Sequence, residues 1–193
     1  MEHQAKDFST LIGLKGFSEK QLKDHFTLYQ GYVKKLNEIE NKLKTTDKST
    51  PNYSYNEYSE LMRRRVVAFN GTYLHQLYFE NINKTPGTSS KELQEATTTS
   101  FGNWDTMIKE LRAAAGSTPG WVLLTNNKID GTLSVWIMFE HHIGLPAHQE
   151  ILLALDCWEH AFMIDYGINK TAYLDAFFAA TDWGIVSERL KKI

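Results

Sequence analysis

Cysteine is almost absent from this chain of 193 residues, in which Cys157 is the only one. A single thiol cannot form a disulfide within the chain, and it cannot build a cysteine-rich zinc site. The sequence therefore excludes both of these ways of stabilising a fold. It is compatible with a reducing compartment, and we expect a cytoplasmic protein.

Long apolar runs and an excess of basic residues are also missing. No segment of about 18 consecutive apolar residues occurs, so we expect no membrane-spanning helix, and residues 1–7 lack the apolar stretch of a signal peptide. The chain has 21 lysines and arginines against 23 aspartates and glutamates, which gives a formal net charge of -2. Nucleic-acid-binding proteins usually carry a basic excess, so we expect neither nucleic acid nor membrane as a partner.

Helical patterns dominate the first 88 residues. Ser18 followed three residues later by Gln21 is typical of a capping box, and apolar residues then recur at helical spacing to about Lys44. The polar, proline-containing segment 45–54 predicts a loop, and a second long helix is predicted over 55–81. We therefore predict an N-terminal helical hairpin domain over residues 1–88.

The pattern changes in the second half, after the break at 116–120. A short apolar run over 121–125 and a second run over 133–139, rich in Val, Ile and aromatic residues, flank a turn that ends in Asp-Gly. This pattern predicts a β-hairpin over 121–139, and 151–155 is a third strand candidate. Helices are predicted at about 90–98, 101–115 and 173–190. The expected fold is α+β, with a C-terminal α/β domain over 89–193 that contains a three-stranded antiparallel sheet.

A candidate site follows the third predicted strand. Asp156 and His160 lie four residues apart, directly after the apolar run 151–155. This spacing alone is a weak signal, and its ordinary interpretation is a capped turn with a surface histidine. The apolar residues 161–164 that follow indicate that the segment is buried. A buried carboxylate needs a compensating charge or hydrogen-bond donors, and a metal ion would supply the charge.

Other histidines occur in separate segments. His75 lies within the second predicted helix, where a histidine is more often a hydrogen-bonded core residue. The pair His141-His142 follows a strand, where paired histidines usually form a solvated corner. His25 and Tyr32 are seven residues apart and share one face of a helix. Taken with Asp156, histidines from separate segments offer a ligand set of three imidazoles and one carboxylate, which suits iron or manganese as well as zinc.

Several motifs resemble those of the iron/manganese superoxide dismutase family. Residues 156–161 read Asp-Cys-Trp-Glu-His-Ala and, with Tyr166 and Tyr173 further on, resemble the long signature of that family. Residues 32–37, Tyr-Val-Lys-Lys-Leu-Asn, and the Gly-Trp pair at 120–121 resemble further family elements. The resemblance covers nearly the whole chain, and the fold of the family agrees with the two predicted domains.

The resemblance implies a superoxide dismutase, which converts superoxide to O₂ and hydrogen peroxide by redox cycling of one iron or manganese ion per chain. The implied metal ligands are His25, His75, Asp156 and His160. The other implied site residues are Tyr32 for proton delivery, His141 as donor to the metal-bound solvent, Trp121 and Trp158 as the surrounding apolar shell, and Glu159 at a dimer interface. A homodimer is implied and a tetramer is left open. The alternatives are a non-redox metal-binding protein or a metal-free structural protein on the same scaffold.

The first predicted helix departs from the family pattern in its spacing. In the family, the gateway tyrosine usually lies eight positions after the first ligand, which would put Asp24 rather than His25 at the ligand position relative to Tyr32. In a regular helix, however, Asp24 and Tyr32 point in directions about 80° apart. We therefore favour His25 and infer that this helix lacks a one-residue bulge.

Three further substitutions bear on the surroundings of the site. By the count from His25, Tyr29 takes the place of a second family histidine, and Met163 takes the place of its tyrosine partner across the dimer. We expect this contact to be absent or rebuilt around Tyr29. Gly71 stands where some members of the family have a helical glutamine, so the resemblance implies that the donor to the bound solvent comes from 140–142, where His141 aligns best and His142 is the alternative. A histidine in this role does not distinguish iron from manganese.

Overall fold

Residues 2–191 are described by the computed structural model, which contains the expected helical first half followed by an α+β second half. The helices are α1 (Glu19–Thr45), α2 (Glu57–Glu80), α3 (Lys91–Phe101), α4 (Trp104–Ser117), α5 (Met163–Tyr166), α6 (Lys170–Ala180) and α7 (Trp183–Lys191). The strands are β1 (Trp121–Asn127), β2 (Leu133–Met138) and β3 (Gln149–Asp156). Short 3-10 turns cover Ser9–Leu11 and Glu159–Ala161. The predicted fold class is confirmed.

The start of α1 is tied to a distant part of the chain. The Ser18 side chain accepts a hydrogen bond from Gln21 N at 3.0 Å, so this half of the predicted capping box forms. The reciprocal half does not: Ser18 N donates to Asp165 Oδ2 at 2.7 Å, and the Gln21 amide donates to the His160 carbonyl. The prediction of a complete box was therefore wrong, because contacts far apart in sequence took over its second hydrogen bond.

A three-stranded antiparallel sheet with the order β2-β1-β3 forms the centre of the second half. Trp121, at the start of β1, pairs with Met138 at the end of β2 and with Asp156 at the end of β3. This register places the ends of β2 and β3, and the residues that follow them, at the same end of the sheet. Buried residues of α1, α2 and the sheet form the main hydrophobic core, and a second, smaller cluster of Leu36, Ile39 and Ala68 joins α1 to α2. The domain boundary between residues 88 and 89 stays a prediction.

The C-terminal segment differs from the single helix predicted over 173–190. It forms two helices, α6 and α7, separated at Thr181 and Asp182. Asp182 N donates to Asn81 O at 2.7 Å, and Asp182 Oδ1 accepts from Gly184 N at 3.0 Å and Ile185 N at 3.3 Å. Asp182 therefore caps α7, and its bond to the end of α2 supplies the reason for the break.

Membrane insertion is not supported by any helix within residues 2–191, because none of them is both long enough and apolar enough to cross a bilayer.

Candidate metal centre

Four side chains converge where the helical hairpin meets the end of the sheet at which β3 finishes. Their ligand atoms all lie within 4.8 Å of one another, and they belong to His25 on α1, His75 on α2, Asp156 at the end of β3 and His160 in the following 3-10 turn. Asp156 Oδ2 lies 3.1 Å from His25 Nε2, 3.2 Å from His160 Nε2 and 3.4 Å from His75 Nε2. Three imidazole nitrogens thus face one carboxylate oxygen.

Hydrogen bonding at His75 shows why a cation fits this cluster. His75 Nδ1 lies against the Gly71 main-chain oxygen, which can only accept, so Nδ1 carries the proton and Nε2 of the neutral ring presents a lone pair. That lone pair faces Asp156 Oδ2 and His160 Nε2, both at 3.4 Å. A lone pair directed at a carboxylate oxygen is unfavourable unless a cation lies between them. The donor set therefore fits one metal ion.

The protonation states agree with this arrangement. Burial lowers the pKa of His75 to about 3, and burial also lowers the pKa of His25 despite its contact with Asp156. Burial opposes ionisation of Asp156, but its electrostatic interaction with His160 and the hydrogen bonds with His160 and His25 hold the pKa of this carboxyl well below its usual value. Neutral imidazoles and an ionised carboxylate are the forms that bind a metal.

Asp24, the other candidate for the first ligand position, lies outside the cluster. Its side chain is about half exposed and pairs with Lys20 Nζ at 2.5 Å, one turn earlier on α1. His25 is 2 % exposed and points into the cluster. α1 is a continuous α-helix from Glu19 to Thr45, so His25 and Tyr32 share one face of it.

A hydrogen-bonded chain connects the cluster's surroundings to Tyr32. Trp121 Nε1 donates to His141 Nδ1 at 2.9 Å, and His141 Nε2 lies 2.8 Å from the Tyr32 hydroxyl. An indole can only donate, so His141 Nδ1 accepts and the proton of the neutral ring is on Nε2, which donates to Tyr32. Both ring nitrogens of His141 are engaged in this way, so the expected hydrogen bond from His141 to a metal-bound solvent is replaced here by one to Tyr32. Burial lowers the pKa of His141, which favours this neutral form. A solvated corner was the ordinary expectation for His141 and His142. It is correct for His142, which is exposed, and wrong for His141, which is 5 % exposed.

Trp121 and Trp158 enclose the imidazoles with apolar surface. Trp121 is fully buried and meets the His75 ring edge-on, with centroids 4.9 Å apart. Trp158 stacks on His160 with centroids 6.5 Å apart and also contacts the ring of His141. The structure thus places both tryptophans against the cluster.

Gln21, Tyr78 and Tyr173 also contact the cluster, and the sequence interpretation assigned none of them to it. Gln21 donates to the main-chain oxygen of His160, the Tyr78 ring lies 5.1 Å from the His25 ring, and Tyr173 Oη donates to the Asp156 main-chain oxygen at 2.6 Å. Gln21 carried one available signal, since it precedes His25 by one helical turn and lies on the same face. Only the chain's long-range contacts identify the other two.

Tyr29 and Met163 occupy very different environments. Tyr29 is 1 % exposed, and its hydroxyl accepts a hydrogen bond from Lys6 N at 3.1 Å within the same chain. Met163 is 40 % exposed. Tyr29 has almost no surface to offer a partner subunit. The structure is therefore compatible with the absence of the family contact across the dimer, and it is not compatible with a contact rebuilt around Tyr29.

Gly71 allows Tyr32 to approach α2 closely, which gives a testable prediction. A methyl group at Gly71 would meet ring atoms of Tyr32 at 2.5 to 2.8 Å. We expect Gly71→Ala to lower the free energy of unfolding by about 1–3 kcal/mol, the usual cost of overpacking. The matched control is Gly31→Ala, where the added carbon meets nothing within 4 Å and should raise stability by about 0.5–1 kcal/mol. Urea unfolding of both variants tests this, and equal stabilities would contradict it.

One carboxylate and three imidazoles, all but His160 buried, lie between a helical hairpin and a small antiparallel sheet and define an α+β protein with a cluster that could hold one metal ion. Comparisons with known proteins then narrow this class. Residues 89–189 match the family model described as iron/manganese superoxide dismutases, C-terminal domain.

Similar curated proteins come from bacteria and archaea. The chain is 35% identical to "Superoxide dismutase [Fe]" of Aquifex pyrophilus, in an alignment that covers 98% of this chain and 91% of the relative. It is 30% identical to "Superoxide dismutase [Mn] 1" of Halobacterium salinarum, over 87% of this chain and 83% of the relative. The chain belongs to the iron/manganese superoxide dismutase family.

Proposed function

We propose that this chain is a superoxide dismutase that binds one iron or manganese ion between its helical hairpin and its sheet. The ligands in this proposal are His25, His75, Asp156 and His160. The observation that carries it is the convergence of these four ligand atoms within 4.8 Å of one another. Family membership supports both the activity and the choice of metals.

Metal analysis combined with an activity assay tests the proposal. We expect purified protein to contain about one iron or manganese ion per chain and to dismutate superoxide. Bound zinc without activity would favour a non-redox metal-binding protein, and absence of any bound metal would favour a structural protein. Reconstitution with each metal in turn would determine which of the two supports activity.

Within this proposal, the bound metal supplies one-electron oxidation and reduction of superoxide, and the chain supplies position and protons. Asp156 and the three imidazoles set the ligand geometry, while Trp121 and Trp158 limit the access of water. His141 Nε2 donates a hydrogen bond to the Tyr32 oxygen. The Tyr32 hydroxyl therefore does not donate to His141, and its own proton is free to be donated to another group. Tyr32 is therefore the proposed proton donor.

The pH dependence of activity should report on Tyr32. Burial, with smaller contributions from the charges of Asp156 and Glu140, raises the pKa of Tyr32 above its ordinary value. The phenol donates only while protonated, so the activity that depends on it should persist at neutral pH and fall only above about pH 10. In Tyr32→Phe we expect activity to be lower by at least about tenfold and this alkaline fall to disappear. An unchanged alkaline fall in the variant would contradict the assignment.

We also propose that the protein is a homodimer, because one ligand lacks a partner. His160 turns Nε2 toward the cluster, and no residue of the described part of the chain bonds its Nδ1. Metal-bound histidines usually donate their second N–H to a carboxylate or carbonyl. The partner subunit's Glu159 would supply that acceptor, since Glu159 is exposed beside His160. Two segments, 139–145 after β2 and 163–164 after the 3-10 turn of Glu159 and His160, carry exposed apolar side chains that support an interface here. These are Phe139, Ile143, Leu145, Met163 and Ile164.

Substitution of Glu159 tests the dimer. We expect Glu159→Ala to weaken dimerisation by at least about tenfold, because it would leave a buried donor unpaired. Sedimentation equilibrium would measure this effect and would also reveal a tetramer. Glu110→Ala, an exposed glutamate on α4, is the control and should sediment like the wild type. A monomeric wild type would contradict the proposal.

A cytoplasmic location is proposed as well. The only cysteine, Cys157, is buried, and burial raises its pKa to about 12, so its thiol stays protonated and unreactive. A protein without disulfides suits a reducing compartment. Cell fractionation followed by immunodetection tests the location directly.

A further inference from the structure

Gln21 is a buried polar residue at the junction of the two halves of the chain. It is 1 % exposed and lies one turn before His25 on α1. Its Nε2 donates to the main-chain oxygen of His160 at 2.5 Å, across 139 positions of sequence. Gln21 therefore links the helix that carries one candidate ligand to the turn that carries another.

The His160 carbonyl depends on this contact. The 3-10 turn at Glu159–Ala161 is closed by hydrogen bonds from Ala161 N to Trp158 O at 3.0 Å and from Phe162 N to Glu159 O at 3.1 Å. Neither bond uses the oxygen of His160. Among residues 2–191, Gln21 is the residue found to donate a hydrogen bond to it.

Neighbouring bonds join the same two segments without acting on a ligand. Ser18 N donates to Asp165 Oδ2, and the Tyr166 hydroxyl donates to the Gly16 main-chain oxygen. These bonds attach the start of α1 to the segment after β3. Gln21 is the member of this group that contacts a ligand-bearing residue directly.

The amide of Gln21 is not explained by packing alone. Its Oε1 atom is buried and has no hydrogen-bond partner in the described part of the chain. A buried acceptor without a partner costs about 1–3 kcal/mol, so an apolar side chain of similar length would suit a purely structural position better. The donor function of the amide is what distinguishes glutamine from such a side chain here.

We propose that Gln21 is a positioning residue of the metal centre, which holds the main chain of His160 at a set distance from His25 through its side-chain amide. The proposal rests on the proposed function, since it assumes that His25 and His160 bind the same ion. His160 has the greatest need of such support, because its side chain is 32% exposed whereas those of His75 and Asp156 are fully buried.

Metal retention measures this role. We expect Gln21→Met, which keeps the length but removes the donor, to lose bound metal to a chelator at least about tenfold faster than the wild type. Gln21→Leu also lacks a hydrogen-bond donor and should show the same effect. Gln30→Met, an exposed glutamine on the same helix, is the matched control and should lose metal at the wild-type rate.

A spectroscopic measurement separates positioning from general destabilisation. The electron paramagnetic resonance spectrum of metal-loaded Gln21→Met should differ from that of the wild type, because a displaced His160 changes the ligand geometry. An unchanged spectrum with wild-type metal retention in either Gln21 variant would overturn the proposal. A wild-type protein without iron or manganese would instead overturn the proposed function.

Discussion

Replacing Asp156 by asparagine is expected to remove the metal and with it the dismutase activity. The variant keeps the shape of the side chain but exchanges the carboxylate that faces three imidazole nitrogens at 3.1 to 3.4 Å for a neutral amide. A single change around a metal ligand typically costs about 10–100-fold in affinity or activity, so loss of the charged ligand itself should exceed that range. Metal analysis and a superoxide assay on the purified variant measure both effects.

A matched carboxylate serves as the control for this prediction. Asp105 is exposed in the first turn of α4 and lies outside the metal cluster, so Asp105→Asn should retain metal and activity. Circular dichroism would establish that Asp156→Asn is folded, which separates loss of the ligand from loss of the fold. Full activity in a folded Asp156→Asn protein would refute the site assignment.

The choice between His25 and Asp24 leads to the second large effect. We expect His25→Gln to lose activity by more than about 100-fold, because it removes one of three imidazoles from the cluster. Asp24→Asn should stay within about twofold of the wild type, since it breaks only an exposed pair with Lys20, and such pairs contribute about 0–1 kcal/mol. Metal content and activity of the two variants, measured side by side, give the comparison.

Because positions 24 and 25 are adjacent, comparing the two variants tests which side of α1 faces the metal cluster. Both side chains start from the same turn of α1, so changes in helix propensity or expression affect them similarly. If Asp24→Asn lost the metal and His25→Gln kept it, the first ligand would lie at position 24. α1 would then need a bulge between that ligand and Tyr32, which the continuous α-helix of the structure does not have.

Much of the fold was predictable because local patterns specify it. The apolar periodicity of residues 22–39 predicted α1, and the two apolar runs on either side of Asp130-Gly131 predicted the hairpin of β1 and β2. The residues at which helices end were harder to predict. The break between α6 and α7 depends on the contacts of Asp182 with Asn81 and Gly87, which lie about a hundred positions away in sequence.

The candidate site shows the same division. The sequence by itself determined the α+β class, the family resemblance and the Asp156–His160 pair, because periodicity and a contiguous motif involve neighbouring residues. Only the tertiary structure decided that His25 rather than Asp24 points at Asp156, that His141 lies between Trp121 and Tyr32, and that Gln21 bonds the main-chain oxygen of His160. Those choices depend on which side chains meet across the junction of hairpin and sheet, and sequence spacing does not specify distances between segments that the fold brings together.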